Sequence, residues 1–498
     1  MKKVLGVCVF VIVVMVLFSI NLSGNAQQQQ QQLDKITQLA RKVHLDYRSL
    51  VIERKLPMAD ALQRQRSFLL EQPEVQDVVR LRGANLMVRF KDGNELLMFL
   101  GVESLGDEFE NEEGFAPQQT VQQVQQRELQ KLEKPRVMIR MPCAPNSNKA
   151  LIFDCLEDDR NVVSPKIWQQ VRSNLEALGY ICTVYLNDNA SLANATLIDD
   201  GEYGVVFLRG HGADLGGDFG FMVRPWYTSM PPANSGYTGT IRASAYNHAA
   251  GQTQFGYVFT GTFSSTYWTN KTFPATFFFL ESCHGADPGA LPGMPTWTTN
   301  HGASVWIGWN ESVTFTCGDQ GSKLFFEKMR DQKNVGDSLA AVYATGCRPP
   351  ELVSHPSGKD SCRLSIWVSD PNEPASVDSR DFKLVKLIAD PTNAYVRITF
   401  YAAPNFSEFF LYADTGGSDA AEIAIRCHMN NFEIYTQTAP GLYNNKVFTG
   451  TPSISGNDYS LIIPWATAFG TINTVKFWLY DMTSQDRAPN SGSATVKK

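Results

Sequence analysis

The feature that most constrains this chain occurs twice: an apolar run of strand length that stops at a polar residue and, two positions later, a reactive side chain. Positions 276–285 read T-F-F-F-L-E-S-C-H-G, and positions 204–212 read G-V-V-F-L-R-G-H-G. Continuous apolar runs bounded this sharply are the pattern of strands buried on both faces, as in a parallel sheet. Ligands of such a sheet bind beyond the carboxyl ends of its strands. Cys283 and His211 are therefore expected at one sheet edge, where a thiol and an imidazole supply the nucleophile and the acid/base of covalent catalysis.

The flanking sequence fits an α/β unit. A strand is expected over 150–154, and a helix over 164–178 opened by Ser164 as N-cap and Pro165 at the first position, with Gly179 past its end. Further strands follow at 180–185, 204–208, 277–280 and 304–309, with helices at 191–198, 320–329 and 335–343. Strands alternating with helices imply a mostly parallel sheet flanked by helices. The aromatic, Gly- and Thr-rich stretch 217–273 reads as an antiparallel excursion or long loops beside the active edge.

A length of 498 residues corresponds to roughly three domains. Lys2 and Lys3 precede the apolar run 4–20, and Gly24 and Ala26 follow, so 1–26 reads as a signal peptide cleaved after Ala26; an uncleaved anchor is the alternative. This places the protein outside the cell, in the periplasm or on the cell surface. Residues 27–102 read as an α+β pro-segment: a Gln tether over 27–32, amphipathic helices over 33–70 interrupted at Pro57, then strands at 78–82, 86–90 and 95–99 with a hairpin turn at Asp92-Gly93. Residues 103–136 are an acidic, Gln-rich linker ending in Arg127, Lys131, Lys134 and Arg136, where a protease could cut a precursor. The α/β unit occupies 137–362. Over 363–498 the helical signal vanishes, and seven strand candidates at short spacing indicate an all-β sandwich.

Composition narrows the function classes. A net charge of -6 gives no basic face for nucleic acid, nor for a membrane beyond the signal segment. Eight cysteines remain after residue 26; with Cys283 kept as a thiol, one more must be unpaired, and Cys347 and Cys362, flanking a Pro-rich loop, are the best expected disulfide. There is no C-x-x-C pair, and His248, His301, His355 and His428 show no zinc-hydrolase spacing. With no phosphate loop or dinucleotide fingerprint either, no metal or cofactor is expected.

Glycines flank His211 and permit a tight backbone approach to a substrate carbonyl. The amides of Gly212 and Cys283 are the expected oxyanion donors. Adjacent residues at a strand end point in different directions, so His284 is expected to be a surface or packing residue. Glu281, two before Cys283, shares its side of the strand and is the expected substrate-binding carboxylate.

These residues resemble the caspase-fold cysteine peptidases, the group of caspases, legumain, clostripain and gingipains. The signature lies in 205–212 and 277–285, and the resemblance spans 150–346, where 318–321 is similar to the region after the nucleophile in gingipain-type members. It implies Cys283 as nucleophile, His211 as general acid and Gly212 as oxyanion donor. Ser282 departs from the alanine common in the family. Clostripain-like relatives carry an acidic residue at the position of Glu281 in a pocket for a basic side chain, whereas legumain has one and prefers asparagine; charge attraction favours Arg or Lys here. The C-terminal part resembles carbohydrate-binding-like β-sandwiches over 409–415 and 478–489, so Asp414, Asp419, Asp481 and Asp486 are either solvated loop carboxylates or ligands for calcium or sugar.

The expected function is thus a secreted cysteine endopeptidase acting on a protein or peptide, with a glycan or cell-surface ligand for the β-sandwich. The alternatives are a catalytically silent scaffold that binds glycans or surfaces, and a transpeptidase using the same dyad.

Overall fold

The computed structural model describes residues 27–101, 143–158, 166–233, 235–247, 250–270, 272–347, 351–369, 382–406, 408–416, 421–480, 487–488 and 493–498. The signal segment, the basic linker residues, Ser164-Pro165, and Asp419, Asp481 and Asp486 lie outside them.

Residues 27–48 form one helix, continued by a π-turn at Ser49–Glu53 and a second helix, Met58–Leu70. The glutamine run expected as a tether is the first part of that helix; glutamine is a good helix former, and Ile36, Ala40, Val43 and Tyr47 anchor the continuation in a core. Three strands follow: β1 (Val75–Arg80), β2 (Leu86–Phe90) and β3 (Glu95–Met98). The next are β4 (Lys149–Asp154), β5 (Ile181–Leu186), β6 (Val205–Arg209), β7 (Gly212–Asp214), β8 (Phe219–Tyr227), β9 (Thr240–Asn247) and β10 (Gln252–Phe259). The α/β part closes with β11 (Phe277–Glu281), β12 (Val305–Trp309) and β13 (Leu352–His355).

The central sheet has the order β13-β12-β11-β6-β4-β5, with every pair parallel except β12–β13. Strand alternation divides its side chains between two cores. Ile152, Phe207 and Phe279 face one core together with residues of the helices Ile167–Glu176, Phe315–Arg330 and Val335–Tyr343. Phe153, Leu208, Phe278 and Leu280 face the other, with Leu192, Phe263 and Met294 from three shorter helices.

The stretch 217–273 holds three antiparallel strands, and they do not stand alone. They belong to a seven-stranded sheet ordered β1-β2-β3-β9-β10-β8-β7, in which β3 pairs parallel with β9 through Leu97↔Ala243 and Met98↔Ser244. The N-terminal segment thus shares a sheet with the strands beside His211, and Met230 and Phe255 sit in its core.

The C-terminal residues form two antiparallel sheets. Phe409 of one meets Phe382, Phe400 and Tyr459 of the other at ring-centroid distances of 5.3–6.1 Å. The disulfides are Cys143–Cys362 and Cys317–Cys347, which corrects the expected Cys347–Cys362 pair. Loop proximity in sequence was the wrong guide, because Cys143 precedes the first strand of the α/β part and closes a ring of 219 positions. Cys155, Cys182, Cys283 and Cys427 are not in disulfides.

Candidate active site

The parallel ladder between β6 and β11 runs from Val205↔Phe277 to Arg209↔Glu281. The two strand ends therefore read in step: Leu-Arg-Gly-His beside Leu-Glu-Ser-Cys. Beyond the ladder the backbones stay in contact. The Gly210 N–H donates to the Glu281 carbonyl at 3.2 Å, and a Cβ on Gly212 would lie 2.4 Å from the Cys283 carbonyl oxygen. Only glycine allows this approach. The Met222 N–H donates to the His211 carbonyl, so the next pair, Gly212↔Phe221, is a non-hydrogen-bonded position of the β7–β8 ladder and the Gly212 amide points off it.

Cys283 and His211 both line one small cavity of ≈ 20 Å³, with Glu281, Ser282, Val313, Thr314, Phe315 and Gly318 on its walls. Cys283 is 3% exposed; its Sγ accepts from the Val313 N–H at 3.2 Å and lies 3.5 Å from the Val313 carbonyl. The turn after Cys283 is held by Trp306 Nε1, which donates to the Gly285 carbonyl at 2.6 Å. His211 is 2% exposed and enclosed by the rings of Trp226 (5.6 Å), Phe99 (5.7 Å) and Phe315 (6.0 Å).

Phe99 comes from the N-terminal segment. From the same segment, His44 is fully buried with its Nε2 3.1 Å from Ser244 Oγ. Burial, followed by the charge of neighbouring His211, pushes His44 down to about 3; Arg48 acts in the same direction and the Ser244 hydrogen bond against it.

Glu281 occupies a row of charges across three strand ends. The registers Asp154↔Arg209 and Arg209↔Glu281 put the guanidinium between two carboxylates. Arg209 Nε donates to Glu281 at 2.6 Å, Nη1 to Asp154 at 3.1 and 3.2 Å, and Nη2 to Asp319 at 2.9 Å. One cation thus serves three carboxylates. Burial, joined by the negative charge of Asp319 and opposed by Arg209, pushes the Glu281 carboxyl well above its ordinary range, and burial raises Asp154 against the pull of Arg209. Asp319 is the member that reaches solvent, at 26% side-chain exposure. Glu281 Oε2 and Ser282 Oγ are buried with no hydrogen-bond partner among the described residues. Arg209 and Asp319 were not singled out from the sequence, although Arg209 stands to His211 as Glu281 stands to Cys283.

His284 is not a surface residue. It is 2% exposed at φ 58°, with Nδ1 3.0 Å from Asp287 Oδ2 and Nε2 3.0 Å from Ser312 Oγ. Its positive φ takes it out of strand geometry, so the alternation argument does not apply to it. Asp414 is buried, not solvated, and lies 3.5 Å from Lys476 Nζ. Among the described residues no group of three or more His, Cys, Asp or Glu is arranged to hold a metal ion.

No protein-family model matches the chain, and no curated protein matches it. Among solved structures, the chain is similar to the Arg-specific cysteine proteinase gingipain R at 10% identity and TM-score 0.30, over 70% of this chain and 67% of that one. It is similar to the complex of Porphyromonas gingivalis RgpB pro- and mature domains at 9% identity and TM-score 0.27, over 70% and 68% of the two chains.

Proposed function

We propose that the protein is a cysteine endopeptidase, secreted as a precursor, in which Cys283 and His211 form the catalytic dyad. The observation that carries this reading is the in-step pair of strand ends that brings Cys283 and His211 to the walls of one cavity. In the reaction, the Cys283 thiolate attacks the peptide carbonyl carbon and the amides of Gly212 and Cys283 hold the oxyanion. The C–N bond breaks as His211 gives its proton to the leaving amine. Water then attacks the thioester and frees the acid, returning the thiol. The 27–101 segment is read as holding the precursor inactive, because its Phe99 packs against the buried His211 ring at 5.7 Å.

Cleavage after Arg or Lys follows from the charge row. Three carboxylates around one guanidinium leave an excess of negative charge even with one of them protonated, and Glu281 lines the cavity. A cationic side chain from the substrate offsets that excess. Hydrolysis of fluorogenic peptides with Arg, Lys, Asn or Asp before the scissile bond tests the reading; preference for Asn or Asp overturns the charge argument, and equal turnover by Cys283→Ala overturns the dyad.

The paired C-terminal sheets are read as a β-sandwich that binds glycan. On the strands Phe409–Asp414 and Thr474–Tyr480, the half-buried Phe410, Tyr412 and Trp478 form a stacked row with ring-centroid distances of 5.7 and 5.9 Å. Aromatic faces of this kind suit the apolar faces of sugar rings. Loss of glycan-array binding in Trp478→Ala is the expected result; no binding by the intact chain overturns this part alone.

A further inference from the structure

The N-terminal segment makes one ionic contact beside the dyad that neither its core packing nor the proposed chemistry requires. Asp214 ends β7 and Asp287 lies four positions past Cys283. Their side chains are only 4% and 2% exposed, and each is set by its own loop. The Gly216 amide donates to Asp214 Oδ1 at 2.8 Å; the Gly289 amide donates to Asp287 Oδ1 at 2.8 Å, and His284 Nδ1 is 3.0 Å from Asp287 Oδ2. Arg82 brings a cation to this pair from 205 positions away: Nη1 donates to Asp287 Oδ1, and Nε is 3.5 Å from Asp214 Oδ2. The arginine side chain itself remains 60% exposed. The receptor is thus built into the α/β part and the guanidinium is laid on it from outside.

The next residue adds shape to the charge. Gly83 has φ 67°, and a Cβ there would lie 1.9 Å from His284 Nε2 and 2.5 Å from Ser312 Oγ. Any residue but glycine would collide with the imidazole. Burial pushes the Asp287 carboxyl up, but the His284 and Gly289 hydrogen bonds and the charges of His284 and Arg82 more than offset it, so the acid stays ionised at neutral pH.

We infer that Asp214, Asp287, His284 and Ser312 form a binding site for an Arg-Gly unit, separate from the Arg209 cluster, which residues 82–83 fill in cis and which an Arg-Gly sequence of another peptide fills once they leave. The carboxylate pair takes the guanidinium, and the imidazole and hydroxyl take the glycine. That this second occupant is a peptide substrate rests on the peptidase reading; the binding does not.

The test uses the full chain carrying Cys283→Ala, so that binding is read without cleavage and a failure says nothing about hydrolysis. Gly83→Ala is added to force the loop off, and hydrogen exchange of residues 81–85 reports its release. The probe is the acetylated, amidated tetrapeptide Leu-Arg-Gly-Ala, with Leu-Arg-Val-Ala as control. The expected result is faster exchange at 81–85 and saturable binding of the Gly peptide at least about tenfold tighter than the Val peptide, about 1.4 kcal/mol. That binding is lost when Asp287→Asn is also present. Unchanged exchange in Gly83→Ala overturns the proposal, and so does equal binding of the two peptides or none. Where the Gly83 variant does not fold, Arg82→Ala replaces it. Methylguanidinium is then expected to restore the protection of 81–85, and methylammonium at equal concentration is not; equal rescue, or no rescue, overturns the proposal.

Discussion

Acid should loosen the N-terminal segment through His44. The imidazole sits at about 3 in the docked state, against an ordinary value near 6.5. Between these values the undocked segment binds a proton that the docked one refuses, so docking is fully stable above pH 6.5 and weakens as pH falls toward 3. At pH 5 the gap is about 1.5 pH units, or ~2 kcal/mol, a roughly thirtyfold loss in the docking equilibrium. The groups that face His44 are His211 and Arg48, which both oppose its protonation, and Ser244, whose hydrogen bond favours it. Hydrogen exchange of amides in 36–51, corrected for the intrinsic pH dependence, measures the docking free energy in the intact chain at pH 7, 6 and 5. The wild type should lose ~2 kcal/mol more than His44→Leu over this range. Equal slopes in the two proteins would refute the reasoning.

Three further outcomes follow. Gly212→Ala places a Cβ 2.4 Å from the Cys283 carbonyl and 2.9 Å from the Phe219 ring; because the first neighbour is backbone, the two amides proposed to hold the oxyanion must move apart, and kcat/KM should fall at least about a hundredfold, ~2.7 kcal/mol, in peptide hydrolysis. Asp319→Asn should lower kcat/KM for Arg and Lys substrates by about tenfold or more while sparing substrates with a neutral side chain, since it removes the carboxylate of the charge row that reaches solvent. Breaking Cys143–Cys362 by Cys143→Ser with Cys362→Ser should cost about 2–5 kcal/mol in denaturant unfolding, because the bond closes a loop of 219 positions.

The apolar runs of β6 and β11 were legible because they carry no polar residue until the strand exits, and the parallel sheet followed from them. The site was legible only in part. Glu281 could be seen as a carboxylate near the thiol, but its partner Arg209 comes from the neighbouring strand, and pairing them requires the register Arg209↔Glu281. The equal spacing of Arg209 to His211 and of Glu281 to Cys283 was the signal that would have revealed it. Asp319 comes from the helix Phe315–Arg330, whose orientation toward the cluster no local pattern encodes. The contact of Arg82 with Asp287 joins residues 205 positions apart, and the sharing of one sheet by β3 and β9 depends on where an edge strand finds a free neighbour. His284 is a packing residue and not a surface one, and it reaches that place through a turn at φ 58° where strand alternation no longer applies.

The dyad itself is tested most directly by locating a covalent adduct. An electrophilic peptide with Arg at the cleaved position is incubated with the wild type, Cys283→Ala and His211→Ala, both as intact chains and after removal of the N-terminal segment, and the label is mapped by mass spectrometry. The account predicts one adduct, on Cys283, formed faster after removal, slowed in His211→Ala and absent in Cys283→Ala. Labelling of Cys155, Cys182 or Cys427 instead, or peptide hydrolysis that survives in Cys283→Ala, would contradict it.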